Sequence, residues 1–487
     1  MALAPPLGST LEELRFANSF VELGEAFSER RPPSGIPGAR LVAISRDAAA
    51  LIDLRDGEAV RPEFAALVSG NALLPGMEPV AAMYGGHQFG YWAGQLGDGR
   101  AILLGEAQTG RGPVELQIKG AGMTAYSRMG DGRAVIRSTV REFLCSEAMD
   151  ALGVPTTRAL AMAAGTEPVR RETIERAATV IRLAPSFVRF GSFEIFHYRK
   201  QPAAVRTLAD YVVDRFYPDC GTGEDRYARF FGEVVERTAR LMAAWQSVGF
   251  AHGVMNTDNF SILGLTLDYG PFGFLEAYEP GFICNHTDEG GRYAFERQPT
   301  IGLWNCHALA EALSSLIPRD ALDAALARYE PAYRAAFLEL HRAKLGLLDA
   351  REHDADLLLE LFELLGARRV DWTRFWRALS HGDAPALALL GEDATSLAWL
   401  AAYRERAAGD PRGEEHRRAA MRAVNPKYVL RNWVAQEAIE ACEAGDDSVV
   451  RALLAVVRSP YEEHPERDGW AQPAPAKYAG LAVSCSS

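Results

Sequence analysis

Hydrophobic and polar residues follow two different periods along this chain, and the change of period divides it. Ala101–Leu104 is an unbroken apolar run, short enough for a strand. Val114, Leu116 and Ile118 then alternate with Glu115, Gln117 and Lys119. That period of two predicts a half-buried strand with Lys119 on its polar face, opposite the core. From Arg137 to Leu152 the apolar residues Val140, Phe143, Leu144 and Ala151 recur at helical spacing, with Glu142 beside the stripe and Gly153 as the C-cap. Thr179–Leu183 predicts another strand. Beyond about residue 200 the pattern is mainly helical, with helices over Leu208–Phe216 and Tyr227–Val248. Residues 252–300, rich in Gly, Asn and Asp, read as loop, and helical periodicity resumes from Leu303 to about Val457. Prolines and small residues predict an extended tail over Ser459–Ser487. Gly-Asp-Gly-Arg occurs at 97–100 and 130–133, but the flanks differ and no repeat follows.

Composition narrows the class. With 48% hydrophobic and 24% charged residues over 487 positions, the chain has the makeup of a globular protein. Its length suits several domains or one large two-lobed enzyme. The net charge of −12 comes without a basic stripe, which argues against a nucleic-acid partner. An anionic ligand must therefore be held by locally placed Lys and Arg. No apolar run approaches the roughly 18 residues of a membrane span, and Met1–Ser9 does not read as a signal peptide. Cys145, Cys220, Cys284, Cys306, Cys442 and Cys485 are too scattered for a zinc site or a disulfide framework. A soluble cytoplasmic enzyme is the expectation.

The candidate chemistry lies in residues whose order matters more than their identity. A strand lysine (Lys119), a helix glutamate (Glu142) and then a helical region is the layout of protein-kinase-like folds, where the Lys grips phosphate oxygens and the Glu orients it. Asn259 stands seven residues after His252, as in a kinase catalytic loop, and Asp268-Tyr269-Gly270 is a variant of the D-F-G turn. An amide oxygen and a carboxylate on adjoining loops suit a nucleotide-bound Mg²⁺, which wants hard oxygen ligands and keeps room for phosphate and water. A β-hairpin with polar turn residues is the other reading of the loop alone. The kinase base position holds Val254, which leaves Asp258 as the only nearby carboxylate. His381-Gly382-Asp383 imitates a catalytic loop but lacks the later Asn and D-x-G, so it reads as a helix-terminal turn. Arg182 and Arg189 lie where kinases border an apolar adenine slot, and they suit phosphates better. Taken singly, each reads as a surface ion pair. Each glycine run reads either as a hairpin turn or as bare backbone approaching phosphate, helped by Arg100.

At these residues the chain closely resembles the selenoprotein O family. The match runs through Tyr84-Gly85-Gly86-His87-Gln88-Phe89-Gly90, the 95–100 and 119–122 segments and the 126–133 segment. It continues through Arg141-Glu142-Phe143-Leu144, the 252–270 loop, Phe282–His286 and Asn425-Pro426-Lys427-Tyr428. The resemblance implies an α+β, protein-kinase-like two-lobed fold with a β-rich N-lobe and an enlarged helical C-lobe. On it, 1–80 is an N-terminal extension packing on the lobes, 81–200 the N-lobe, 201–458 the C-lobe and 459–487 a tail. It implies transfer of AMP from ATP (or UMP from UTP) to Ser, Thr or Tyr hydroxyls of proteins, with the nucleotide flipped so that its triphosphate points inward. Gly97, Gly99, Arg100, Lys119, Asp131, Gly132, Arg182, Arg189 and Asp268 would contact the nucleotide. Asp258 would accept the proton, and Asn259 and Asp268 would hold Mg²⁺ or Mn²⁺. An ordinary γ-phosphoryl kinase and a non-catalytic nucleotide-binding scaffold are the alternatives. Val254 and the two arginines argue against the first, and the intact Lys119, Glu142, Asn259 and Asp268 against the second. The resemblance also implies redox control through Cys485, and Cys284, in the loop after Asp268-Tyr269-Gly270, is its candidate disulfide partner; two free thiols in a reducing cytosol is the other possibility.

Overall fold

The computed structural model describes residues 8–478 together with Gly480 and Leu481. It is an α+β protein built on a nine-stranded sheet with antiparallel pairings. The strands are β1 (Phe16–Ala17), β2 (Ser28–Arg30), β3 (Arg40–Ile44), β4 (Val80–Ala82), β7 (Ala101–Thr109), β8 (Gly112–Lys119), β9 (Ala134–Val135), β10 (Arg158–Arg170) and β11 (Ile174–Ala184). Their order is β2-β4-β7-β8-β11-β10-β3, with β1 beside β7 and β9 beside β11. A separate hairpin, β5 (Gly85–Gln88) and β6 (Tyr91–Gln95), stands off the sheet.

β8 runs through the middle of the sheet, and its alternation sorts two buried faces. Leu116 and Ile118 share a hydrophobic cluster with Phe64, Leu67 and Val68 of the helix Pro62–Val68. Glu115, Gln117 and Lys119 point the other way. That polar face was expected to lie away from the core, yet all three are buried. The helix α1 (Ile136–Ala151) closes over it, packing Val140, Phe143 and Leu144 with Val180 and Ala184 of β11. Gly153, with φ of 77°, turns the chain immediately beyond that helix, as its predicted capping role requires.

After β11 the chain passes through residues 185–189 into α2 (Phe190–Tyr198), α3 (Pro202–Phe216) and α4 (Arg226–Val248). The 250–297 stretch is almost free of regular structure, holding short 3-10 turns and the strand pair Phe250–Ala251 with Gly273–Phe274. Helices then dominate from Gln298 to Arg458, and the last two, Asn432–Glu443 and Ser448–Arg458, return to pack on α1. His381 ends one helix and Asp383 begins the next, with Gly382 between them, so the His-Gly-Asp tripeptide is a turn.

The expected extended tail needs correction. Residues 465–471 form a 3-10 segment, and Trp470, Ala471 and Tyr478 are buried. Trp470 Nε1 donates to Glu437 at 3.0 Å, and Tyr478 stacks on Trp433. The aromatic residues among the prolines supply enough apolar area to dock the segment. No described helix is long and apolar enough to cross a membrane.

Candidate active site

A cavity of about 650 Å³ opens between the inner face of the sheet and the 254–271 loops. Its lining includes Gly97, Gly99, Arg100, Lys119, Asp131, Gly132, Arg182, Asp258, Asn259 and Asp268. Glu142 and Arg189 stand behind, each bonded to a lining residue. Residues far apart in sequence thus meet at one site.

The floor is a buried charge cluster. Lys119 Nζ lies 2.7 Å from Glu142 Oε2 and 3.5 Å from Asp268 Oδ1. Arg182 Nη1 donates to Glu142 Oε1 at 2.9 Å and to Asp268 Oδ1 at 2.5 Å. Arg189 Nη1 reaches Asp268 Oδ2 at 2.6 Å and the Asp258 carbonyl at 2.7 Å. The arginine side chains are 1% and 2% exposed, which overturns the surface ion pair that each suggests when read singly. Burial raises the pKa of Asp268, but Arg182, Arg189 and Lys119 outweigh it and hold the carboxyl well below its usual range. Burial also lowers the pKa of Lys119, opposed by Glu142 and Asp268. Gln117, opposite Arg182 across the strands, accepts from its guanidinium and donates to Asp98 at 3.1 Å. Neither Gln117 nor Asp98 was singled out in the sequence. The signal for Gln117 was its parity with Lys119 on β8.

His252 joins the loops. Its Nδ1 accepts the Val254 N–H at 3.3 Å, so Nε2 carries the proton donated to the Leu267 carbonyl at 3.0 Å. It stacks on Trp245, and burial lowers its pKa. Asn259 Nδ2 donates to the Val254 carbonyl at 3.0 Å, which leaves Oδ1 as its available ligating atom. Asp268 adopts a left-handed backbone with φ of 58°. Asp258, in the 3-10 turn Thr257–Asn259, is pushed up to about 7 by burial, with Arg189 pulling the other way. Its Oδ2 lies 3.4 Å from Gln88 Nε2, while its buried Oδ1 has no partner among the described residues. The hairpin backbone lies against it: a Cβ at Gly86 would come within 2.9 Å of Oδ1. A buried, half-satisfied carboxylate is costly unless it has work to do.

The glycine turns form the opposite wall. Tyr126 packs on Gly97, where a Cβ would lie 2.4 Å from its ring. Gly132, with φ of 70°, abuts the Gly122 backbone, where a Cβ would come within 2.2 Å. The Asp131 carboxylate lines the cavity but pairs with Arg171 at 2.7 Å. Among the described residues, Arg100, Arg128 and Arg170 line the cavity with no carboxylate partner. They make it cationic on a chain of net charge −12.

The donor set fits a metal that arrives with phosphate. No group of three or more His, Cys, Asp or Glu suited to a metal occurs among the described residues. Asp268, Asn259 Oδ1 and the unpartnered Asp258 oxygen are hard donors on one wall, leaving other positions to phosphate and water. Cys284 is buried outside the cavity lining, its Sγ 3.4 Å from the Ala251 carbonyl. Cys485 lies outside the described residues, so the expected disulfide does too.

A sequence profile of a family described as "Protein adenylyltransferase SelO" matches residues 10–458. A Myxococcus xanthus protein named "Protein nucleotidyltransferase YdiU" is 53% identical over 487 residues, covering 98% of this chain and 100% of that one. Proteins of the same name from Pectobacterium carotovorum and Ralstonia nicotianae are each 50% identical. They cover 97% of this chain and 99% and 95% of their own lengths.

Proposed function

The chain belongs to the SelO family of protein adenylyltransferases, and from that premise we propose that it transfers AMP from ATP to hydroxyl side chains of other proteins, releasing pyrophosphate. The observation that carries this is the buried cluster of Lys119, Arg182 and Arg189 at the cavity floor, beside a carboxylate with a free oxygen. Lys119 and Arg182 line the cavity floor with Arg189 directly behind them, which favours the β- and γ-phosphates there and the α-phosphate towards the mouth. This is the flipped orientation, and the strand-lysine, helix-glutamate and loop order supports a protein-kinase-like arrangement of two lobes.

In the proposed step the acceptor hydroxyl oxygen attacks the α-phosphorus. The bond to the bridging oxygen breaks, pyrophosphate leaves, and Asp258 takes the hydroxyl proton. Asp258 stands in a desolvated position with Oδ1 unpaired, as a base needs. Lys119, held by Glu142, and the two arginines grip the inner phosphates, while Gly97, Gly99 and Gly132 let backbone approach the nucleotide. Arg100 and Asp131 border the nucleotide from the same wall. Asn259 and Asp268 would hold Mg²⁺ or Mn²⁺, which when bound neutralises phosphate charge and fixes phosphate geometry.

The test supplies ATP or UTP labelled at the α- or the γ-phosphate, with casein as a hydroxyl-rich acceptor. Label retained on protein from the α position only is the expected result, and comparison of the two nucleotides assigns AMP or UMP. Label retained only from the γ position would assign a phosphotransferase and overturn the proposal. No label from either, with Mg²⁺ and Mn²⁺ both tried, would leave a nucleotide-binding scaffold.

A further inference from the structure

Glu194 on α2 has a side chain that is 0% exposed, and the proposed chemistry gives it no task. Both its oxygens are engaged. Oε1 lies 2.6 Å from His87 Nδ1, and Oε2 accepts the Thr257 hydroxyl. Thr257 Oγ1 in turn accepts the His87 backbone N–H at 2.7 Å. Three residues thereby close a ring across three elements: the β5–β6 hairpin, α2, and the turn that carries Asp258 and Asn259.

Two further contacts reinforce the ring. The Phe89 N–H donates to Tyr293 Oη at 2.8 Å and to Asn256 Oδ1 at 3.2 Å, and the Tyr293 hydroxyl donates to the same Asn256 oxygen at 2.7 Å. The backbone of the hairpin is therefore tied at residues 87 and 89 to the two residues that precede Asp258. Gly191 lets α2 come this close, since a Cβ there would lie 2.1 Å from the Gly85 carbonyl. On either side of His87, Gly86 and Gln88 occupy alternate positions of one strand and both meet the Asp258 carboxylate.

A fully buried carboxylate is costly to desolvate, and an apolar residue would hold two elements together more cheaply. What the carboxylate adds is direction: it fixes one imidazole and one hydroxyl in defined orientations. We propose that Glu194, acting through His87 and Thr257, is a positioning residue that locks the β5–β6 hairpin onto the 257–259 turn and so aims the Asp258 carboxylate at the incoming acceptor hydroxyl. The inference rests on the reading of Asp258 as the proton acceptor. It predicts a defect in the transfer step and not in nucleotide capture, because the ring touches none of Lys119, Arg182 and Asp268.

Thr257→Val keeps the side-chain shape and removes both hydroxyl bonds. The transfer rate from α-labelled ATP to casein at saturating ATP should fall about 10- to 100-fold, the scale of a small misplacement at a reacting centre. The ATP dissociation constant from calorimetry should stay within about twofold, since the phosphate grip is untouched. Thr257→Ser should restore most of the rate. Hydrogen exchange across residues 85–95 should accelerate in the Val variant and return in the Ser variant. Glu194→Gln carries the same test should Thr257→Val fold poorly, because its amide replaces one acceptor by a donor, so either the Thr257 hydroxyl or the His87 imidazole must reverse its role. A folded variant with an undiminished rate would overturn the inference. So would a loss of rate and of ATP affinity in proportion, or a loss of rate with no change in hairpin exchange. A wild-type protein that transfers no α-label would instead refute the proposed function, which separates the two failures.

Discussion

Replacing Glu115 by Gln should remove a pH dependence of stability that the wild-type protein carries. Glu115 is 2% exposed on the inner face of β8, and its Oε2 accepts the Phe187 N–H at 2.7 Å in the segment linking Arg182 to Arg189. Burial pushes its pKa from 4.5 up to about 8, with Glu106 nearby adding to the rise and the Phe187 bond and Arg215 opposing it. The native carboxyl therefore keeps its proton over an interval in which the unfolded one has lost it. Because the folded pKa is raised, the stabilisation is complete below about 4.5 and drains away as pH rises through about 8. Each pH unit of that interval is worth about 1.4 kcal/mol, which accumulates to about 4–5 kcal/mol across it. Gln keeps the acceptor for Phe187 and cannot ionise. Urea unfolding followed by tryptophan fluorescence from about pH 5 to about pH 8.5 should show variant and wild type similar at the acid end. The variant should become progressively the more stable towards the alkaline end. A difference between them that stays constant across the range would refute the reasoning, because the carboxyl would then not titrate between those limits.

Asp268→Asn should cost about 3–5 kcal/mol of stability, since Lys119, Arg182 and Arg189 would lose the buried carboxylate that all three share. It should also abolish α-label transfer, and ATP should raise its melting temperature more than that of the wild type, because phosphates re-pair the cations. Lys344→Met should stabilise the protein below neutral pH. Lys344 is 4% exposed with Asn425 Oδ1 at 3.3 Å, and burial lowers its pKa to about 7. Its folded pKa is depressed below 10.5, so its favourable contribution is lost as pH falls through about 7. Melting temperature plotted against pH should therefore show the variant's advantage growing as pH falls from 10.5 to about 7 and staying constant below that, the opposite direction from Glu115.

The local elements were legible because periodicity is a local property. The alternation of β8, the helix bearing Glu142, the turn at Gly382 and the order of Lys119, Glu142, Asn259 and Asp268 all follow from neighbours a few residues apart. The helix Ile136–Ala151 begins one residue before its predicted start and ends one before its predicted end. The unusual glycine and arginine content of 95–133 and 182–189 marked a site without giving its shape.

What tertiary structure decided is which polar face meets water. Period two assigns Lys119 and Gln117 to one side of β8, but only the closure of α1 and of the 185–189 segment over that side buries them. Arg182 and Arg189 each read as a surface cation until Asp268, 86 and 79 residues later, is brought between them. The Glu194 ring spans 107 residues to His87 and 63 to Thr257, beyond the reach of any spacing rule. The tail docks because Trp470 and Tyr478 find partners on the helix Asn432–Glu443, which no count of prolines foretells. By itself the sequence determined the elements and the order of the chemical groups. Their burial, partners and proton affinities arose only when the remote elements packed, because desolvation and charge pairing depend on distance in space and not along the chain.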